Sequence, residues 1–224
     1  MALEHTYKPF DTDIDLLRRS VTTMGEMVDR QVARAVDAIR SRDLGLVTQV
    51  LAEEQSVNEL HSQTDLRCNQ TIAKRQPIAV DLREIIAVLK INNDLERIGD
   101  EAKKIAFKSR DFVSAGAPIP LDGVDKMAEL VSGMLRQALD AFIRHDAGVA
   151  DALNQRDDEV DDLRDELIRQ LMGRMSDDPG VVTAALSMIF VVQSLERVGD
   201  HAKSIAEHVV HVVEGVDIRH APTG

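Results

Sequence analysis

The sequence predicts an all-α fold made of two tandem, structurally similar three-helix bundles, six long helices in all. Three observations predict it. Apolar residues recur at three- and four-residue spacing over runs much longer than a strand. Gly and Pro are sparse, 12 and 6 in 224 residues, so turns are few and the elements between them long. And the chain repeats itself: LERIGDEAKKIA at 95–106 returns as LERVGDHAKSIA at 195–206. Aromatics are only 3% with no Trp, which leaves a core of Leu, Ile, Val, Met and Ala, side chains that suit packed helices.

The elements follow in order. Residues 1–11 read as an N-terminal tail. From about 12 to 41, Ile14, Leu17, Val21, Met24, Val28, Ala35 and Ile39 form one stripe, with Gln31 and Val32 filling its gap. That helix would be roughly 45 Å long at ~1.5 Å per residue. Asp43 is a plausible N-cap for a second helix, 44–75, which Lys74 and Arg75 favour at its C-terminal end. Pro77 suits the first turn of a third helix running to about 113. SAGAPIPLD at 114–122 is aperiodic and holds two prolines, a linker that closes a first bundle spanning 12–113. The pattern then starts again. MAELVSGMLRQALDAFI echoes MGEMVDRQVARAVDAI, and DPGVV stands where QPIAV stood. A second bundle is expected over 123–214 and a C-terminal tail over 215–224.

Composition excludes several functions. A net charge of −12, with no basic stripe, is wrong for nucleic acid and for anionic lipid. One cysteine, Cys68, has no partner for an internal disulfide and fits a reducing compartment; it reads as a small packed side chain. The opening MALEHTYKPF has no apolar run, and TAALSMIFVV is far shorter than the ~20 residues that span a bilayer. The expectation is a soluble cytoplasmic protein without membrane insertion. Neither a Gly-rich phosphate loop, HExxH nor GxSxG occurs, and no His has a Glu three residues before it, which argues against a ferritin-like di-iron enzyme.

The candidate site is acidic. Glu96 and Asp100, like Glu196 and Asp200, lie four apart and share a helix face. Solvated surface is the ordinary reading of such a pair, supported locally by Lys104 below Asp100 and by Glu207 below Lys203. Three features count against it. Both copies keep the pair. Gly99 and Gly199 sit beside it, each costing about 1 kcal/mol relative to Ala in mid-helix, so each gives room either for a neighbouring helix or for a bound group. Finally, the apolar stripe Val47, Val50, Val57 carries Glu54, and the stripe Val149, Leu153, Val160 carries Asp157, with Asp161 one turn on. A carboxylate on an apolar seam is expensive unless paired or coordinated. Hard cations or iron, manganese or zinc would satisfy it; so would the recurring Arg97, Arg197, Lys103 and Lys203, which could also attract an oxyanion. Of the histidines, His201 has the best claim to a role, and His208 and His211 could share a face.

IAKRQPIAVDLREI, LKINNDLERIGDEAKKIA and SLERVGDHAKSIAE together resemble the PhoU family, over about 12–220. The resemblance implies two three-helix bundles, and a cytoplasmic accessory protein of the phosphate-specific ABC transporter. It implies a negative regulator of phosphate-starvation signalling, a non-catalytic adaptor joining the transporter's ATPase subunit to a sensor histidine kinase. Some members hold iron, zinc or other metals through Glu/Asp-x-x-x-Asp motifs. These fall here on Glu96 and Asp100, Glu196 and Asp200, and Asp157 and Asp161; the fourth is Glu54 with Asn58, where an amide replaces the carboxylate. The metal expectation covers iron, zinc, manganese or magnesium. A homodimer is expected from the apolar surface an amphipathic bundle leaves over. The competing class is a metal-dependent enzyme acting on phosphoryl groups at the same acids.

Overall fold

The computed structural model describes residues 8–215. Six α-helices account for nearly all of it: α1 Lys8–Ser41, α2 Leu44–Arg75, α3 Ala79–Ala115, α4 Asp122–Arg144, α5 Val149–Asp177 and α6 Val182–Glu214. A short 3-10 turn, Pro179–Val181, leads into α6.

The α1 stripe is buried as its spacing requires, from Ile14 through Val21 and Met24 to Ile39, and Gln31 is buried with it. Asp43 caps α2, its carboxylate accepting from the Gly45 amide at 2.8 Å. Three boundaries differ from expectation. First, α1 starts at Lys8, inside the expected tail 1–11, because Phe10 already packs in the core. Arg75 Nε donates to Asp13 at 2.9 Å and ties the start of α1 to the end of α2. Second, Pro77 lies before the cap Ile78 rather than in the first turn of α3; α2 closes through a left-handed Gln76, φ 49°, and the chain needs the next residues to reverse. Third, the linker is only 116–121. Gly116, φ 68°, stops α3, and Ala117 and Ile119 bury their side chains under the connection. Residues 1–7 of the first tail and 216–224 of the second lie outside the described residues; Gly215, φ 73°, is the C-cap of α6.

α1, α2 and α3 pack on one another, as do α4, α5 and α6, and the most extensive helix contact joins the halves through α3 and α6. These two run antiparallel. Asp94 meets His208, Glu101 meets Arg197 and Lys108 meets Phe190, so one sequence rises as the other falls. α1 and α4 form a second seam, closed by Arg136 donating to Asp29 at 3.0 Å. Gly25 permits it, since a Cβ there would run into Leu139.

α6 with its leading turn is the one helix among the described residues long and apolar enough to cross a membrane. Within the bundle its apolar positions Met188, Val191, Val192, Leu195 and Val198 are fully covered. Apolarity here belongs to a central helix that faces α3, α4 and α5 at once.

Candidate functional site

Each half brings acids from its second helix toward its third, and the two halves treat them differently. In the first half Glu54, 4% exposed, reaches inward from α2 beneath α3. Gly99 gives it that space. A Cβ at 99 would stand 3.2 Å from Glu54 Oε2 and 3.4 Å from Gln31 Oε1. The glycine thus accommodates a neighbouring helix's own side chains. Gln31 Nε2 donates to the Val50 carbonyl at 3.3 Å and to Glu54 Oε2 at 3.5 Å, and Asn58 Nδ2 donates to Glu54 Oε1 at 3.3 Å. Among the described residues the cation paired with it is Lys103, its Nζ 4.0 Å from Glu54 and 3.9 Å from Asp100. Burial raises the Glu54 pKa, Lys103 lowers it and Asp100 raises it again; the outcome is upward. Glu96 lies beside its neighbour Arg97, at 3.7 Å. An open groove of about 680 Å³ runs over Glu54, Asn58, Glu59, Ser62 and Lys103.

In the second half the equivalent of Glu54 is Asp157, one methylene shorter. It cannot reach as deep, and the place of Gln31 is taken by Met134, whose Cε faces Gly199. Asp157 turns instead to Lys203, Oδ2 to Nζ 2.6 Å. Arg164, on α5, donates through Nη1 to Asp161 Oδ1 and to Glu196 Oε1, both at 2.7 Å, so one guanidinium bridges α5 and α6. Its Nη2 lies 2.9 Å from Asp165. Asp200 is the acid left over. Burial and then Glu196, Asp157 and Asp161 push its carboxyl up to about 6, with His201 opposing.

The structure therefore brings Asp157, Asp161, Glu196 and Asp200 together, and Glu54 with Asp100, while Glu96 stands at the edge. Cations of the chain itself sit among them. Two local pairings differ from expectation: Asp100 pairs with Lys103 and not Lys104, which takes Glu101 at 2.7 Å, and Lys203 bonds Asp157 across the helices. Among the described residues no three His, Cys, Asp or Glu side chains stand in position to hold a metal ion. In the second half Arg164 and Lys203 lie between the acids and pair with Asp161, Glu196 and Asp157.

Sequence reasoning missed two features. Arg164 has no counterpart signal in the first half. Asp94, at the α3–α6 seam, accepts from His201 Nδ1 at 3.0 Å and from His208 Nε2 at 3.1 Å. Burial pushes the Asp94 carboxyl up, but these two hydrogen bonds and the charges behind them outweigh it and hold the pKa below its ordinary value. His208 thus shares its partner with His201, seven residues away, and not with His211. The seven-residue spacing was the available signal.

Comparison with known proteins agrees with this architecture. The PhoU domain model matches twice, at residues 21–108 and 124–209. The phosphate-specific transport system accessory protein PhoU homolog of Pseudomonas putida is 39% identical over 217 residues, covering 96% of this chain and 85% of that protein. The homolog from Caulobacter vibrioides is 38% identical over 209 residues, covering 93% and 90%. The crystal structure of PhoU from Pseudomonas aeruginosa superposes with a TM-score of 0.89 at 38% identity, over 92% of this chain and 100% of that one. The phosphate transport system regulatory protein PhoU from Streptococcus pneumoniae gives 0.85 at 26% identity, over 93% and 99%. A duplicated three-helix unit matched twice by one domain model, and matched end to end by relatives of the same name, makes this chain a member of the PhoU family.

Proposed function

We propose that this protein is a cytoplasmic, non-catalytic accessory protein of a phosphate-specific ABC transporter. It lowers phosphate uptake and phosphate-starvation signalling by linking the transporter's ATPase subunit to a sensor histidine kinase, without contacting nucleic acid or entering the membrane. The observation that carries this reading is the end-to-end match to proteins named as accessories of that transport system, at 39% identity over 96% of the chain. The site geometry fits it. Acids paired with Arg164 and Lys203 lock helices together, which suits a rigid body that presents surfaces to partners. Self-association as a homodimer belongs to the same proposal.

Deletion tests it. Phosphate-regulon reporters should rise in phosphate-replete cells that lack the protein, and the intact chain should restore repression. A reporter that stays flat in the deletion refutes the regulatory role. Pull-down with the ATPase subunit and with the kinase's cytoplasmic part tests the adaptor role separately.

A further inference from the structure

Duplication makes each half a control for the other. The buried positions of α2 and α5 coincide at an offset of 103: Val50 matches Leu153, Glu54 matches Asp157 and Val57 matches Val160. At that offset Arg164, which bridges Asp161 and Glu196 at 2.7 Å, corresponds to His61. The His61 ring meets Asn93 Oδ1 on α3 at 3.1 Å rather than Glu96, the counterpart of Glu196. The open groove of about 680 Å³ lies over this place. Its lining includes Asn58 and Ser62, the counterparts of Asp161 and Asp165, which pair with Arg164 in the second half. No arginine lines the groove.

The acid beneath it is loosely held. Glu54 is 4% exposed, yet its contacts to Asn58, Gln31 and Lys103 measure 3.3, 3.5 and 4.0 Å, against 2.6 Å from Asp157 to Lys203. Lys103 is divided between Glu54 and Asp100 and sits close to neither. Gln31, 0% exposed and bonded to Glu54, keeps its own Oε1 buried without a hydrogen-bond partner. Glu59 adds a second carboxylate to the lining, bonded to the neutral Gln55 amide at 3.1 Å. Glu96 pairs with Arg97 at 3.7 Å, a side chain 66% exposed.

The second half indicates the occupant. A planar guanidinium donates to several acceptors at once, and there it does so from Arg164. Neutral Asn58 and Ser62 in place of two carboxylates weaken the hold on a metal ion, whose affinity follows ligand charge. The Lys103 ammonium in the lining opposes a small dication further. Leu51 offers apolar contact to a methylene stem. The width of the groove admits a side chain together with its backbone, and a net charge of −12 favours a basic partner.

We infer that the groove between α2 and α3 is a docking site for an arginine side chain of a partner protein. Glu54, Glu59 and Asn58 accept from its guanidinium, and Glu96 takes the part that Glu196 plays for Arg164. The inference rests on the geometry of the two halves, so a flat reporter in the deletion would leave it standing.

The test uses the full chain in its own cells, with benzoylphenylalanine placed at the groove position Gln63 and, as a control, at the exposed Met172 on α5. After irradiation the joined peptides are sequenced by mass spectrometry. The expected product at 63 is a segment of another protein joined within a few residues of an arginine. Replacing that arginine by glutamine should lower the yield about tenfold. Asn58→Asp with His61→Arg rebuilds the pairing of the second half and fills the groove from within. It should lower the yield about as much without lowering the melting temperature. Glu54→Gln keeps the shape, removes the charge and should also lower the yield, which gives a second reading if the double variant folds poorly. Yields indifferent to these substitutions, joining only to a second copy of this chain or to segments without arginine, or no product above the Met172 control would each overturn the inference.

Discussion

Asp200 is the acid of the second half that three other carboxylates crowd, and Asp200→Asn measures what that costs. Its pKa stands near 6 against an ordinary 3.8, raised by burial and by Glu196, Asp157 and Asp161. Between those two values the folded protein binds more protons than the unfolded chain, so stability falls as pH rises through the window. The difference, 6 − 3.8, is about 2 pH units, or at most about 3 kcal/mol at ~1.36 kcal/mol per unit. Asp200 is exposed, so solvent screens much of that and leaves about 1 kcal/mol. Asparagine keeps the shape and removes the charge. Urea unfolding should therefore show Asp200→Asn more stable by about 1 kcal/mol at pH 7.5, a midpoint shift of about 0.4 M where m is about 2.5 kcal/mol/M. At pH 4, where the carboxyl is mostly protonated in the folded state, the gain should nearly vanish. An equal gain at both pH values, or a loss at pH 7.5, would refute the claim that these acids repel one another at close range.

Other expectations follow from the same geometry. Lys203→Met leaves Asp157, its side chain 11% exposed, without its cation and should cost about 2–3 kcal/mol; adding Asp157→Asn should restore most of it, and a double-mutant cycle in urea measures the coupling. Elemental analysis of untagged protein should find equal metal in the wild type and in the Glu96→Gln/Glu196→Gln variant, because Arg164 and Lys203 already neutralise the second cluster; an excess in the wild type would show that these cations give way to a metal. Gly25→Val should lower stability by about 1–3 kcal/mol through its clash with Leu139 at the α1–α4 seam, read as a lower Tm. Cys68, fully buried with its thiol pushed up to about 12 chiefly by burial, should resist a thiol-specific reagent in the native protein and react once the chain is unfolded.

The helices and their faces were legible because burial imposes a period. Ile14 to Ile39 mark the α1 stripe in the sequence, and the same side chains are covered in the structure. Glu54 and Asp157 were legible for a related reason: a carboxylate interrupting an apolar stripe is a local anomaly. What they pair with was not, because pairing depends on how far each side chain reaches across the gap between helices. Lys203 recurs with Lys103 and looked like part of a local i to i+4 pair, yet its bond runs across to α5. Arg164 sits among Asp161, Asp165 and Glu166 in a run that reads as solvated surface, and only the approach of α6 turns it into a bridge. The glycines were ambiguous for the same reason. Helix spacing alone could not say whether Gly99 faced a ligand or another helix, and the side chain facing it is Glu54.

Duplication sharpens what the differences between halves mean. The two units share core positions, and the sequences of their third helices align with an offset of 100 residues, buried Ile85 matching buried Ala185 and buried Ile91 matching buried Val191. Packing therefore explains what they share. It cannot explain why the first half holds its acid deep beside Gln31 under a raised pKa while the second draws Asp157 out to Lys203. Nor does it explain why one end of the α3–α6 seam is closed by histidines on Asp94 and the other carries an exposed Phe190 beside lysine. Both solutions satisfy the same backbone, so the fold is indifferent between them. The differences between the halves therefore lie in side chains rather than in the backbone: the buried carboxylate of Glu54 beside Gln31, and the open groove at the start of α6.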